Sequence, residues 1–200
     1  MTIGEILRYV CITMKVVLIV YTPLLLLQLA ILAFTSKKFD LKQFIVDNLF
    51  LLYILALLEI IAFRFGGIGW SLEKMMERDI RVNTEPLKLV MKWVEHGRWW
   101  YLFYNIIGNC IWFVPLGFLL PIKFESLRKR ILEVTLIGTL LSMMLETLQF
   151  VLCTGVTDLD DVMFNSFGTW IGYVIYRACY LFLKRKRRQK SKARLLARIE

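Results

Sequence analysis

Three helical stretches and one loop hold the side chains that could do chemistry. Glu146 and Gln149 stand i and i+3 in an apolar stretch, and Asp158, Asp160 and Asp161 follow in the next loop. Asn165 comes four residues after Asp161, while Asn105 and Asn109, four apart, share a helix face upstream. Carboxylates and amides in apolar surroundings suit three tasks: binding a hard cation, recognising a polar headgroup, or transferring a proton. A lone carboxylate inside a bilayer is functional by default, which makes Glu146 the acid–base candidate. No metal site follows from ligand spacing; Asp158 and Asp161 are the residues a hard cation such as Mg²⁺ would use. The same groups also have a structural reading. Asn105, Asn109, Gln149 and Asn165 could be hydrogen-bond links between helices, and Asp158 or Asp160 could cap the helix that follows.

The elements that must position these groups are membrane spans. The chain has 200 residues, 58% of them apolar, with a mean hydropathy of +0.60. That exceeds an ordinary soluble domain, and a chain this short has too little interior to hide it. A soluble enzyme, a disordered protein and a secreted disulfide scaffold are thereby disfavoured. Five stretches are long and apolar enough for a ~30 Å hydrocarbon core: Ile12–Phe34, Phe44–Phe63, Trp100–Pro121, Ile131–Leu152 and Val162–Leu183. The expected fold is an all-α polytopic membrane bundle of about five transmembrane helices with an interfacial amphipathic helix. Residues 1–183 form one membrane domain and 184–200 a basic tail. In the fifth span Asp161, Asn165, Gly168 and Gly172 lie within about 40° on one stripe, so the glycines permit close helix approach. Pro115 in the third span removes a backbone donor and can kink the helix, near Gly117.

The net charge of +10 is uneven: nine of the 26 basic residues lie from Lys184 onward. The loop with Lys123, Arg128, Lys129 and Arg130 is also basic, whereas Thr154–Asp161 has no lysine or arginine. By the positive-inside rule the tail is cytoplasmic, the aspartate loop outside, and five crossings put the N-terminus outside. The 66–98 connection also falls outside, although it carries Lys74, Arg78, Arg81, Lys88, Lys92 and Arg98. The charge then serves anionic lipid at the membrane surface and not nucleic acid. Within the connection, Leu87, Val90, Met91 and Val94 follow helical i, i+3, i+4, i+7 spacing and predict a surface helix. Thr84 is its expected N-cap, Pro86 falls in its first turn and Gly97 stops it. Trp99, Trp100 and Tyr101 then form an aromatic belt.

Glu59, with Arg64 five residues on, reads as an interfacial ion pair or a snorkelling side chain, and His96 as a residue at the surface helix's end. Cys11, Cys110, Cys153 and Cys179 show no CxxC pairing. No P-loop, GxSxG, HExxH or GxGxxG run occurs, so no cofactor is expected.

The run Asn105-Ile-Ile-Gly-Asn109-Cys-Ile-Trp-Phe-Val-Pro115-Leu-Gly117-Phe-Leu-Leu-Pro121 resembles a signature of VanZ-like membrane proteins. Glu146-Thr-Leu-Gln149, Thr157-Asp158-Leu-Asp160-Asp161 and Asn165-Ser-Phe-Gly168 resemble their second signature, and Asn83-Thr-Glu-Pro86 the segment before the first. The likeness covers roughly 80–180. Leu87 after Pro86 and Val156 after Gly155 depart from the common pattern of an aromatic and an arginine. The resemblance implies a bacterial multi-pass membrane protein associated with teicoplanin-type glycopeptide or lipoglycopeptide resistance. It carries motif positions Asn109, Pro115, Gly117, Glu146, Gln149, Asp158, Asp161, Asn165 and Gly168, without catalytic roles. Two functions are expected on this footing. One is an envelope protein that lowers lipoglycopeptide binding at the cell surface by occupying or rearranging lipid-linked wall precursors. The other is a membrane enzyme acting on a lipid-linked or headgroup substrate through Glu146.

Overall fold

Long runs of leucine, isoleucine, valine and phenylalanine satisfy their own backbone groups only as helices once water is excluded, and helices dominate the computed structural model. It describes residues 3–35, 39–63, 82–152, 154 and 157–196. Helix α1 (Ile3–Phe34) is followed by α2 (Leu41–Leu58), which Asp40 caps by accepting the amides of Lys42 and Gln43. A π-helical turn, Glu59–Phe63, continues α2. A two-residue strand β1 (Val82–Asn83) leads to α3 (Lys88–Glu95) and then α4 (Trp99–Lys123). A 3₁₀ turn, Glu125–Lys129, joins α4 to α5 (Ile131–Val151). Strand β2 (Thr157–Asp158) opens directly into α6 (Leu159–Leu196), so the basic segment continues the last helix as far as Leu196.

Four of these stretches, Val10–Phe34, Leu41–Phe63, Trp99–Lys123 and Ile131–Val151, are long and apolar enough to cross a membrane. The fifth expected span, 162–183, lies within α6 but does not reach that apolarity. Its polar groups explain the difference, because they face neighbouring helices and not lipid. Asn165 and Thr169 are buried, and Ser166 bonds Thr139 of α5 at 2.8 Å.

Helix α6 packs most extensively along α4, running in the same direction, and antiparallel to α5. Small residues make the α4–α6 contact possible. A Cβ at Gly168 would overlap the carbonyl of Cys110, and one at Gly172 that of Val114; one at Gly117 would overlap the carbonyl of Thr169. Backbones therefore touch, which is how helices gain packing energy where burial of oil offers none. Around this seam lie Leu57, Phe113, Leu116, Leu120, Val134, Leu145 and Tyr173. Helix α4 runs unbroken through Pro115. In the turn before the proline, the Trp112 carbonyl accepts the Tyr53 hydroxyl at 2.8 Å. Helix α1 sits at the edge, tied to α2 where Tyr21 donates to Asn48 at 2.9 Å.

Two local expectations are corrected. Glu59 is buried at 4% exposure, so it does not snorkel; the π turn it opens packs against α5. Thr84 does not cap α3. The helix begins at Lys88, with Leu87 in the left-handed conformation at its cap position (φ 60°), and no side chain of its own caps it. Gly97, at φ 63°, follows the helix end as expected, and the exposed His96 donates from Nδ1 to the Lys92 carbonyl at 2.7 Å. Arg64, the 64–81 part of the connection, Cys153, Gly155 and Val156 lie outside the described residues.

Candidate functional site

At one end of the bundle the start of α6, the end of α5 and the segment before α3 meet in a knot of polar groups. It begins with Asp158. This residue precedes α6, and its carboxylate accepts the amide of Asp160 at 3.0 Å, the geometry of an N-cap. The same oxygen accepts Asn83 Nδ2 at 2.9 Å, and Asn83 is its register partner in the parallel β1–β2 pair, where Val82 faces Thr157. The Asp158 amide in turn donates to Glu146 Oε2 at 3.2 Å. Thr157 adds a hydroxyl bond to the Glu146 carbonyl at 3.4 Å. Glu146 and Asp158 are both buried, at 4% and 7% exposure. Burial pushes the Asp158 carboxyl above its ordinary range; the amide of Asp160 pulls it back, the Asp160 charge pushes it up again and the Asn83 bond lowers it.

Asp160 takes the next contact. Its Oδ1 accepts the amide of Leu87 at 2.6 Å, which answers the first orphan donor of α3 at a residue whose left-handed backbone costs roughly 1–2 kcal/mol for a non-glycine. The other carboxylate oxygen, Oδ2, is buried and finds no hydrogen-bond partner among the described residues. Further along, Asp161 accepts Asn109 Nδ2 from α4. Asn165 donates to Ser142 at 2.8 Å across α5–α6. Gln149 is buried, and its carbonyl accepts the amide of Thr154 at 3.2 Å. The Thr154 hydroxyl bonds the Ala62 carbonyl at 2.6 Å and so ties in the end of the π turn.

The structure thus brings together Glu146, Asp158, Asp160, Asp161, Asn109 and Asn165, with Gln149 beside them. Asn105 stands apart, because its amide donates to the Tyr101 carbonyl one turn back on its own helix, at 2.9 Å. No group of three or more His, Cys, Asp or Glu residues placed to hold a metal occurs among the described residues. The chemistry visible here is the acceptance of backbone and amide N–H groups by carboxylates. Ser142 and Leu87 belong to the site but carried no signal as isolated residues. Ser142 could have been found from its spacing, since Ser142, Glu146 and Gln149 stand at i, i+4 and i+7 on one face. The Leu87 contact is a backbone amide meeting a residue 73 positions away, and a side-chain pattern does not encode it.

A family model described as VanZ/LLP1 matches residues 50–183. The sequence is similar to Protein VanZ of Enterococcus faecium, 34% identical over 74 residues, which is 37% of this chain and 45% of that protein. The match therefore spans less than half of that relative. No solved structure matches the chain.

Proposed function

The chain belongs to the VanZ/LLP1 family and is a membrane protein, and from that premise we propose that it acts at the outer face of the cell membrane to lower binding of teicoplanin-type glycopeptides and lipoglycopeptides. The observation that carries the reading is how α3 is held. Asp160 accepts the Leu87 amide at 2.6 Å, and Asn83 bonds Asp158 at 2.9 Å, so the residues before this helix are pinned to the start of α6. Leu87, Met91 and Val94 are left exposed at the start of and along the helix, and Trp99 and Trp100 are exposed beyond it. This is the surface an interfacial helix offers to the boundary between headgroups and acyl chains.

The basic residues of the 3₁₀ turn and of α6 gather at the opposite end, which by the positive-inside rule supports a knot and α3 on the outside and a C-terminus in the cytoplasm. A platform fixed at that depth is placed to meet lipid-linked wall precursors. The proposed action is to occupy or rearrange those precursors. The test is expression in a susceptible bacterium, with bound fluorescent teicoplanin and growth inhibition measured together. Wild type should lower both drug binding and susceptibility. Asp160→Ala, present in the membrane at equal amount, should restore them towards the empty-vector level. Unchanged drug binding on wild-type expression would remove the proposal.

A further inference from the structure

We propose that the opposite end of the bundle holds a binding site for the phosphate of an anionic phospholipid, in the cavity between the 3₁₀ turn and α6. This cavity, about 350 Å³, is lined by Glu125, Arg128, Lys129, Arg130, Arg177 and Tyr180 among others. Four of these side chains are cationic and one is anionic, so the cavity as a whole attracts negative charge.

The three arginines are held in place by contacts that leave donors over. Arg177 donates from Nη1 to the Arg128 carbonyl at 3.3 Å, and its guanidinium carbon lies 6.0 Å from the centroid of the Tyr180 ring. A guanidinium has five N–H donors, so this bond uses one. The Tyr173 hydroxyl donates to the same Arg128 carbonyl at 3.1 Å, which fixes the 3₁₀ turn against α6. Arg128 pairs with Glu125 and Arg130 with Glu133, each at 2.6 Å, and these exposed carboxylates neutralise only part of the charge. Forked guanidiniums in a preset arrangement recognise phosphate oxygens better than point charges do.

The surroundings argue for a lipid phosphate over a free one. Tyr180 also lines an adjoining cavity of about 400 Å³ that continues along α6 past Leu183 to Lys184, Arg187 and Arg188. There apolar side chains run beside the basic ones. Leu181, Phe182 and Leu183 are exposed at the same level of the helix. A phosphate at the arginines would have these exposed apolar side chains of α6 beside its glycerol and acyl groups, a pattern that basic pockets between membrane helices use for acidic headgroups.

Native mass spectrometry of the detergent-solubilised full chain tests the site. The titrants are phosphatidylglycerol, phosphatidylcholine of matched chain length, and inorganic phosphate. Wild type should retain phosphatidylglycerol about tenfold more tightly than phosphatidylcholine, and inorganic phosphate should not displace it. Arg177→Gln should weaken phosphatidylglycerol at least about fivefold. Because that substitution also loosens the 3₁₀ turn, Lys129→Gln with Arg130→Gln serves as the second variant; it leaves the Arg177–Arg128 bond intact and should show a similar loss. Arg185→Gln with Lys186→Gln and Lys190→Gln, which removes three charges further along α6, should cost less than about twofold. Equal losses in this control and the cavity variants would overturn the site in favour of diffuse attraction. Equal retention of phosphatidylcholine would overturn the anionic-headgroup assignment, and displacement by inorganic phosphate would overturn the lipid assignment.

Discussion

At the knot end of the bundle, carboxylates and amides are buried and joined to one another or to backbone amides, as Asp158 is to Asn83 and Asp160 to Leu87. At the basic end, arginines and lysines line open cavities and pair with carboxylates that are themselves exposed. The polar groups of the first end hold helices and strands in register, so removing one leaves a buried partner unmatched, which costs more than the bond itself contributes. Those of the second end remain hydrated, and their ion pairs contribute little to stability. The contrast separates residues that position the molecule from residues available to something outside it.

The largest effect should come from the seam that supports both ends. Gly168→Leu places side-chain atoms where the Cys110 carbonyl lies, and should abolish a monodisperse detergent-purified protein, a loss of at least about 3 kcal/mol. Gly108 has open space around its Cα, and Gly108→Ala should instead raise thermal stability by up to about 1 kcal/mol. Next in size, Asp158→Ala removes the cap of α6 and strands Asn83; a loss of about 2 kcal/mol is expected in thermal melts. A smaller change of opposite sign is expected for Leu87→Gly, which relieves the left-handed backbone and should stabilise by about 0.5 kcal/mol.

The knot should also respond to pH. The folded state raises the Asp158 carboxyl above 3.8, so it holds that proton more tightly than the unfolded chain does. The resulting stabilisation is present at low pH and is lost as pH rises from about 3.8 through the raised value. Asp158→Asn should flatten that part of the melting profile. Least of all, Lys123→Met at the basic end removes the partly exposed pair with Asp47, and a change under about 0.5 kcal/mol is expected. A Lys123 loss as large as that of Asp158→Ala would erase the distinction between the ends.

The spans were legible because lipid demands long apolar helices. The fourth, expected over Ile131–Leu152, forms as Ile131–Val151. Helix α6 was harder to class, because residues such as Asn165 and Thr169 face other helices and lower its apolarity without exposing it. The start of α3 misled for a different reason. Thr84 has the chemistry of a cap, but the preceding residues are committed to the β1–β2 pair, and the helix is closed from outside by Asp160. For the site, helical spacing located Asn109, Glu146, Gln149 and Asn165. The partners, such as Asn83 with Asp158 across 75 residues, are set by tertiary packing that periodicity does not carry. Asn105 shares a face with Asn109 yet bonds within its own helix, since a polar side chain in a helix can always return to a carbonyl one turn back.

The knot aspartates pin the interfacial helix. Hydrogen exchange over residues 82–95, compared between wild type and Asp160→Ala in detergent, measures this directly. Faster exchange is expected across that segment in the variant, with residues 131–151 unchanged. Identical exchange in the two proteins over 82–95 would contradict it.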